Sequence, residues 1–205
     1  MSNILVTGSN GQVGSELHAL ASNYNYTFFF KDKESLDITN KDKLDNFVKE
    51  NSIDVIINSA AYTAVDKAED DEINADRVNH LATKYLAQVA KDHGIKLIHI
   101  STDYVFDGKN HKPYIESDEV NPNGVYGKTK LDGEIAMLEI NPKDSIIIRT
   151  SWVYSSFGAN FVKTMLRLGK DRDSLGVIFD QVGTPTYARD LAKAILNILP
   201  NIKKY

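Results

Sequence analysis

The chain has 205 residues, of which 42% are hydrophobic and 25% are charged, and its formal net charge is -4. This composition is typical of a globular protein with one sizeable core, and the slightly negative charge argues against a nucleic-acid partner. The lack of cysteine excludes disulfides, thiol catalysis and cysteine-based zinc sites. Because neither a leader peptide nor a membrane-spanning run is evident, we expect a cytoplasmic protein without membrane contact.

Six short apolar runs alternate along the chain with amphipathic segments. The runs cover residues 4–6, 27–30, 55–57, 97–100, 146–148 and 177–179. They are continuously apolar rather than alternating, which predicts strands that are buried on both faces. The pattern therefore indicates an α/β fold with a doubly wound parallel sheet of Rossmann type, whose ligands bind at the carboxyl ends of the strands.

The helical segments follow from apolar residues that recur at a spacing of three or four. A first helix presents Val13, Leu17 and Leu20 on one face, and a second begins after a predicted cap at Thr39. A third ends at Gly94, which has the freedom required after a helix. Further helices are expected over residues 126–139, 160–168 and 188–199.

The sequence TGSNGQVG (residues 7–14) directly follows the first strand and opens the first helix. Its glycines allow a tight turn and the close approach of a pyrophosphate, and the helix N-terminus supplies free N–H groups. This context predicts a dinucleotide site rather than a plain glycine-rich turn. About twenty residues later, Asp32 could bind the ribose 2′-hydroxyl of NAD, whereas Lys31 and Lys33 could hold the 2′-phosphate of NADP. The stretch leaves both open, with a slight preference for NADP.

Three later stretches follow strands or open a helix. Small residues after the third strand (58–63) either line a cofactor groove or allow close helix packing. The hydroxyl of Thr102, after the fourth strand, either donates to a substrate carbonyl or caps a turn. After a long loop (107–125), Tyr126 and Lys130 leave one helical face a turn apart, so the ammonium would lower the pKa of the phenol and make it a proton donor. All three would face one crevice.

With these motifs in order, the chain resembles the extended short-chain dehydrogenase/reductase superfamily, and more narrowly its dTDP-4-dehydrorhamnose reductase branch. The narrower resemblance covers essentially the whole chain. It rests on the sequences GQVGSEL (11–17), LDITN (36–40), AAYTAVDKAE (60–69), STDYVFDG (101–108), VYGKTKLDGE (125–134), RTSWVY (149–154) and NFVKTMLRL (160–168).

The resemblance implies reduction of the 4-keto group of dTDP-6-deoxy-L-lyxo-4-hexulose to dTDP-L-rhamnose, with Tyr126 as proton donor, Lys130 as its partner and ligand of the nicotinamide ribose, and Thr102 on the keto oxygen. The cofactor, NADP(H) or NAD(H), would be bound by Tyr126 and Lys130 and by Gly8, Gly11, Gln12, Val13, Asp37, Ile38, Ala60, Ala61 and Thr63. The dTDP-sugar substrate would be contacted by Val65, Thr102, Tyr104, Tyr126, Trp152 and Asn160.

The resemblance also bears on organisation and partners. Residues 1–150 would form the dinucleotide-binding core, and residues 151–205 the start of a substrate lobe together with the last strand and helix of the core. Members of the branch are longer, so we expect the substrate lobe to be incomplete. Glu16 matches a position that helps to hold Mg²⁺ in some relatives, and a homodimer is expected.

Two other functions compete with the reductase. The first is a non-catalytic regulatory subunit on the same fold, of the kind that serves a methionine adenosyltransferase; the presence of Thr102, Tyr126 and Lys130 argues against it. The second is a sugar-nucleotide epimerase or dehydratase. A dehydratase needs extra acid/base groups beside the hydroxyl residue, and Tyr104 follows Asp103 where an acidic partner would be expected.

Overall fold

Five parallel strands form the central sheet, in the order β2-β1-β3-β4-β5, in the computed structural model, which describes residues 2–204. The strands are β1 (Asn3–Thr7), β2 (Thr27–Lys31), β3 (Val55–Asn58), β4 (Lys96–Thr102) and β5 (Ser145–Thr150). They confirm the first five predicted strands and the fold class. Because the chain order reverses on either side of β1, a crevice opens at the carboxyl ends of β1 and β3.

Eight α-helices accompany the strands within the described residues. They are α1 (Gln12–Leu20), α2 (Lys41–Glu50), α3 (Val65–Ala68), α4 (Glu72–Asp76), α5 (Ala82–His93), α6 (Val125–Ile140), α7 (Phe161–Asp171) and α8 (Ala188–Ile198). A π-helical turn, Arg77–Leu81, joins α4 to α5. The predicted stop at Gly94 is confirmed, because this residue has φ +63° and its N–H closes the end of α5.

The core has two layers, one on each face of the sheet. Ile4 and Val6 of β1 pack with α1 and α8, whereas Leu5 between them packs with α2 and α5 on the other face. This alternation explains why the central strands read as continuously apolar. The edge strands β2 and β5 are only half-buried, so the prediction of burial on both faces holds for the central strands alone.

The predicted sixth strand at residues 177–179 is wrong. Residues 172–185 contain no helix or strand, and Ile178 and Phe179 are 67% and 96% exposed. The apolar run reflects composition and not burial, because no described strand or helix covers it. Instead, β6 (Val153–Tyr154) and β7 (Thr186–Tyr187) form a separate two-stranded parallel sheet.

Two further details complete the secondary structure. The cap of α2 is Asn40, whose side chain accepts from the Lys43 N–H at 3.0 Å. The predicted cap, Thr39, instead bonds the Asp37 carboxylate, because Asn40 stands one residue nearer to the helix. Among the described helices, none combines the length and the apolar character that crossing a lipid bilayer requires.

Candidate active site

The glycine-rich loop between β1 and α1 has the shape required to hold a phosphate. Gly8 has φ +66°, and a Cβ at this position would lie 2.6 Å from the backbone N of Ala60, so only glycine fits. Gly11 precedes α1, and no described side chain caps that helix end. The N–H groups of the first turn, which include those of Gln12 and Val13, therefore have no intrahelical partner. These residues fit the pyrophosphate of a dinucleotide cofactor.

Asp32 lies beside this loop at the end of β2. Its carboxylate accepts from Asn10 Nδ2 at 2.8 Å and from Ser35 Oγ at 2.6 Å. The hydrogen bonds from Ser35 lower the pKa of Asp32. The ammonium of the neighbouring Lys31 lies 4.9 Å from the ring of Phe47, which directs it towards α2. An anionic carboxylate next to the phosphate loop can accept a hydrogen bond from a ribose hydroxyl.

The other residues predicted for the cofactor lie around the carboxyl ends of β1 and β3. Ile38 is buried in the core, Ala60 packs against the same cluster, Ala61 is half-buried and Thr63 is exposed. Burial alone would raise the pKa of Asp37, but hydrogen bonds from Thr39 and the charge of Arg77 lower it. Asp37 Oδ2 lies 3.7 Å from Arg77 Nη2, so this carboxylate forms an ion pair at the edge of the predicted cofactor site.

Thr102 and Tyr126 are brought together at the carboxyl end of β4. Thr102 is the last residue of β4, Tyr126 lies in the first turn of α6, and both are buried. A Cβ at position 127 would collide with the carbonyl oxygen of Tyr104, so Gly127 allows α6 to approach the turn after β4. The ring of Tyr104 meets that of Tyr126 edge-on, with centroids 5.5 Å apart. The sequence interpretation missed Gly127, although it lies inside the quoted motif.

The phenol of Tyr126 has a raised pKa in this structure. Burial is the main cause, the Asp103 and Tyr104 charges act in the same direction, and a hydrogen bond with Thr102 acts against them. Burial also raises the pKa of the Asp103 carboxyl. A neutral phenol beside a second hydroxyl residue can donate a proton to a substrate oxygen atom.

Lys130 is 1% exposed, and its side-chain nitrogen is not directed to the phenol. Its Nζ lies 2.7 Å from the carbonyl oxygen of Ile100 and 3.1 Å from His99 Nε2. The predicted lowering of the Tyr126 pKa by Lys130 is therefore not found. The reason is that a fully buried lysine requires polar partners, and β4 supplies them.

His99 and Asn58 also belong to this polar environment and were missed from the sequence. Both are fully buried, and the side chains meet at 2.9 Å between Asn58 Nδ2 and His99 Nδ1. The available signal was a histidine and an asparagine within or at the end of runs that are otherwise apolar. Such residues are rarely buried without a hydrogen-bonding role.

The residues predicted to meet the substrate come from separate segments of the chain. Val65 opens α3 and Tyr104 follows Thr102. Trp152 lies two residues beyond Thr150, the β5 partner of Thr102; it has φ +45° and is 43% exposed. A cavity of about 310 Å³ lies at the carboxyl ends of β4 and β5, but none of the predicted site residues lines it. A larger one, about 810 Å³, lies at the opposite end of the sheet and contains no predicted site residue.

Asn160 connects the C-terminal segment with the phosphate loop. Its Nδ2 donates to Gln12 Oε1 at 2.9 Å and to the Ser155 carbonyl at 2.8 Å, while its Oδ1 caps α7. Gln12 in turn donates to the Val153 carbonyl at 3.1 Å. The predicted cofactor and substrate residues therefore meet at the Gln12–Asn160 pair.

The predicted Mg²⁺ site at Glu16 has no support. Glu16 is fully buried; its Oε1 accepts from Ser155 Oγ at 2.7 Å, and its Oε2 lies 3.4 Å from Arg189 Nη1. Both carboxylate oxygens thus have protein partners. The group of side chains in residues 2–204 that are spaced to share a cation, Asp76, His80 and Asp132, does not include it.

Comparison with known proteins finds relatives that match nearly the whole chain. The family model for the RmlD substrate binding domain matches residues 1–205. A dTDP-4-dehydrorhamnose reductase of Aggregatibacter actinomycetemcomitans is 47% identical over 98% of this chain and 69% of its own length. This chain spans 64–70% of the length of each of the eight relatives compared.

Solved structures give the same result. A dTDP-4-dehydrorhamnose reductase from Clostridium acetobutylicum has a TM-score of 0.94 and 46% identity, over 98% of this chain and 71% of that one. The enzyme of the same name from Bacillus anthracis, in complex with NADP, has a TM-score of 0.94 and 39% identity, over 98% and 72%.

The fold and the site define an oxidoreductase that uses a nicotinamide cofactor, on the scaffold of the short-chain dehydrogenases and reductases. The chain belongs to the dTDP-4-dehydrorhamnose reductase family. The predicted family and function class are confirmed, and the regulatory-subunit and epimerase or dehydratase alternatives are not favoured.

Proposed function

We propose that this protein reduces the 4-keto group of dTDP-6-deoxy-L-lyxo-4-hexulose and so forms dTDP-L-rhamnose. The observation that carries the proposal is the placement of two buried hydroxyl residues at the carboxyl end of β4: Thr102, the last residue of β4, and Tyr126, in the first turn of α6. The substrate class is that named for the relatives, several of which are dTDP-4-dehydrorhamnose reductases.

When bound, a reduced nicotinamide would supply a hydride to C4 of the sugar. Tyr126 gives its hydroxyl proton to the keto oxygen, so that the C=O group becomes CH–OH, and the phenolate then recovers a proton from solvent. Thr102 stabilises the negative charge that develops on that oxygen. The Thr102 hydroxyl now donates to Asp103 Oδ1 at 3.2 Å. In the reaction it would donate to the keto oxygen instead.

The cofactor would lie along the carboxyl ends of β1 and β3, and we infer that it is NADPH, with NADH as the alternative. The relative from Bacillus anthracis was solved with NADP, and Lys33 adds positive charge near Asp37. Asp32 favours NADH instead, because its carboxylate would repel a 2′-phosphate. Lys130 would reach the nicotinamide ribose. The remaining cofactor contacts would come from the residues of the phosphate loop and its rim: Gly8, Gly11, Gln12, Val13, Asp37, Ile38, Ala60, Ala61 and Thr63.

The substrate would enter beside the cavity at β4 and β5, where Val65, Tyr104, Trp152 and Asn160 would contact it. Residues 1–150 would then form the cofactor core, and residues 151–205 would begin the substrate lobe and return to the core through α8. A cytoplasmic location suits a nucleotide-activated sugar and a nicotinamide cofactor. We also propose a homodimer, which light scattering of the purified chain would test.

The test of the proposed function is the oxidation of NADPH and of NADH, each with and without the keto sugar. We expect oxidation only with the keto sugar, and a higher kcat/KM for NADPH. Addition of dTDP-L-rhamnose in place of the keto sugar is the matched control, because it lacks the carbonyl group. Calorimetric binding of NADPH without any oxidation would contradict the proposed reaction.

A further inference from the structure

A continuous chain of buried polar side chains runs beneath the active site, from β1 to α6. Thr7, Asn58, His99 and Lys130 are each no more than 1% exposed. Thr7 Oγ1 donates to Asn58 Oδ1 at 2.7 Å, Asn58 meets His99 at 2.9 Å, and His99 meets Lys130 at 3.1 Å. Because each group is buried, each bond must pair a donor with an acceptor.

The direction of these bonds is set at Asn58. The backbone N–H of Ala60 can only donate, and it lies 3.2 Å from the Asn58 side-chain oxygen. The carbonyl end of the amide therefore faces Ala60, and its NH₂ end faces His99. It follows that Nδ1 of His99 accepts a hydrogen bond and carries no proton.

A neutral imidazole with an unprotonated Nδ1 carries its proton on Nε2. That N–H points at Lys130 Nζ. An ammonium group has only N–H donors, so it would place two donors against each other at 3.1 Å. A neutral amine satisfies both contacts, because it accepts from His99 and donates to the Ile100 carbonyl at 2.7 Å.

We propose that His99 is a positioning residue for Lys130, and that the Asn58–His99 pair holds this lysine as a neutral amine in the cofactor-free protein. The inference rests on the proposed function only in giving Lys130 a part in the reaction. Lys130 is thus a group that can take up a proton when it gains a new acceptor, such as a ribose hydroxyl, rather than a fixed positive charge.

The surrounding charges agree with this assignment. Burial lowers the pKa of Lys130 to about 7, and burial is also the largest cause that holds the pKa of His99 well below its usual value. Glu134, one turn further along α6, raises the Lys130 pKa, but its carboxylate is bound by Arg149 of β5 at 2.6 Å. Tyr126, one turn earlier on α6, and Asp103, after β4, are the other titratable groups at this end of the site.

The first test is an NMR measurement of the His99 tautomer in the unmodified, cofactor-free protein. Selective ¹⁵N labelling of histidine distinguishes the two ring nitrogens, and a His99→Gln sample assigns the His99 signals among the five histidines. We expect an unprotonated Nδ1 and a protonated Nε2 at about pH 8. A proton on Nδ1, or on both nitrogens, would overturn the proposal.

The second test follows the Cε signal of Lys130 as a function of pH, with Lys130→Met for assignment. In His99→Gln the glutamine carbonyl can accept from an ammonium group, so the Lys130 pKa should rise by about one unit. Thr83→Val is the matched control, because that buried hydroxyl bonds only the carbonyl of Asn79. An unchanged Lys130 titration in His99→Gln would refute the positioning role. Both tests use protein without substrate, so they are independent of turnover.

Discussion

At the level of single residues, the protonation of Tyr126 decides whether this site can donate a proton. Burial raises the pKa of the phenol, so the hydroxyl retains its proton at neutral pH, which is the form a general acid requires. The neighbouring Thr102 hydroxyl acts to lower this pKa, but burial has the larger effect. The two residues thus act through position, and charge from Lys130 is not needed to hold the proton.

Replacing Tyr126 with phenylalanine removes the proton donor and retains the ring that packs against Tyr104. We expect kcat to fall by about 10² to 10⁴, with little change in the calorimetric Kd for NADPH. Tyr62→Phe is a suitable control, because that hydroxyl bonds Asp71 and has no proposed part in the reaction. Turnover that survives in Tyr126→Phe would remove Tyr126 from its assigned role.

Lys130 should make stability depend on pH. Its pKa is about 7 in the folded chain against an ordinary value of 10.5, so between these values the unfolded chain binds more protons. The free energy of unfolding therefore rises with pH in this window, by at most about 1.4 kcal/mol per pH unit from this group.

Urea unfolding of the wild type and of Lys130→Met at about pH 7, 8 and 9 would measure this dependence. We expect the wild type to become more stable relative to the variant as pH rises, because methionine has no proton to lose. If the free energies of unfolding of the two proteins changed in parallel with pH, the pKa of Lys130 would not be lowered in the folded state.

At the level of elements, what could be predicted from the sequence depended on whether a pattern reflected burial. The strands that end in Thr7, Asn58 and Thr102 were predictable, because they are apolar and covered on both faces. The run at residues 177–179 has the same composition, but it is exposed, and composition alone does not distinguish these cases. The Thr39 prediction failed for a local reason, since Asn40 offers an equally good cap one residue later.

The candidate site also divides into features that could be predicted from the sequence and features that could not. Motifs in which spacing carries the chemistry predicted the phosphate loop, Thr102 and Tyr126 from the sequence. The direction of the Lys130 amine was not predictable, because it depends on His99 and Asn58, which lie 31 and 72 residues away in the chain. Asn58 and His99 are brought together only by the register of β3 with β4, in which they are paired.

A substitution at Gly127 would test how closely α6 must approach the turn after β4. Alanine at this position would place its Cβ against the Tyr104 carbonyl, so Gly127→Ala should lower the free energy of unfolding by about 1–3 kcal/mol and displace Tyr126. At Gly169 in α7, an added Cβ would meet nothing within 4 Å. Gly169→Ala should therefore be neutral or stabilising by up to about 1 kcal/mol. Equal urea midpoints for the two variants would contradict the steric explanation.

At the level of the whole molecule, Glu16 joins three parts of the chain that are distant in sequence. It is on α1, Ser155 follows β6, and Arg189 is on α8. The contact holds the segment after β6 against the helix that begins at the phosphate loop. The Gln12–Asn160 pair strengthens the same junction, so cofactor core and C-terminal segment share one set of hydrogen bonds.

Glu16→Ala should therefore loosen this junction. It leaves the Ser155 hydroxyl and the Arg189 guanidinium without their common acceptor, and we expect a loss of about 1–3 kcal/mol in the free energy of unfolding. Hydrogen exchange should speed up at residues 153–160 more than in the central strands. Glu34→Ala, on an exposed side chain, is the control and should change neither measurement.

Trp152 gives this molecule an optical property. It is the only tryptophan in the chain, its ring lies against Gly183, and it is 43% exposed just beyond the carboxyl end of β5. Excitation selective for indole therefore reports on one place alone, the junction between β5 and the segment that leads to β7. A change in emission wavelength on titration with a ligand would show that the segment has moved over the indole, without any label attached to the protein.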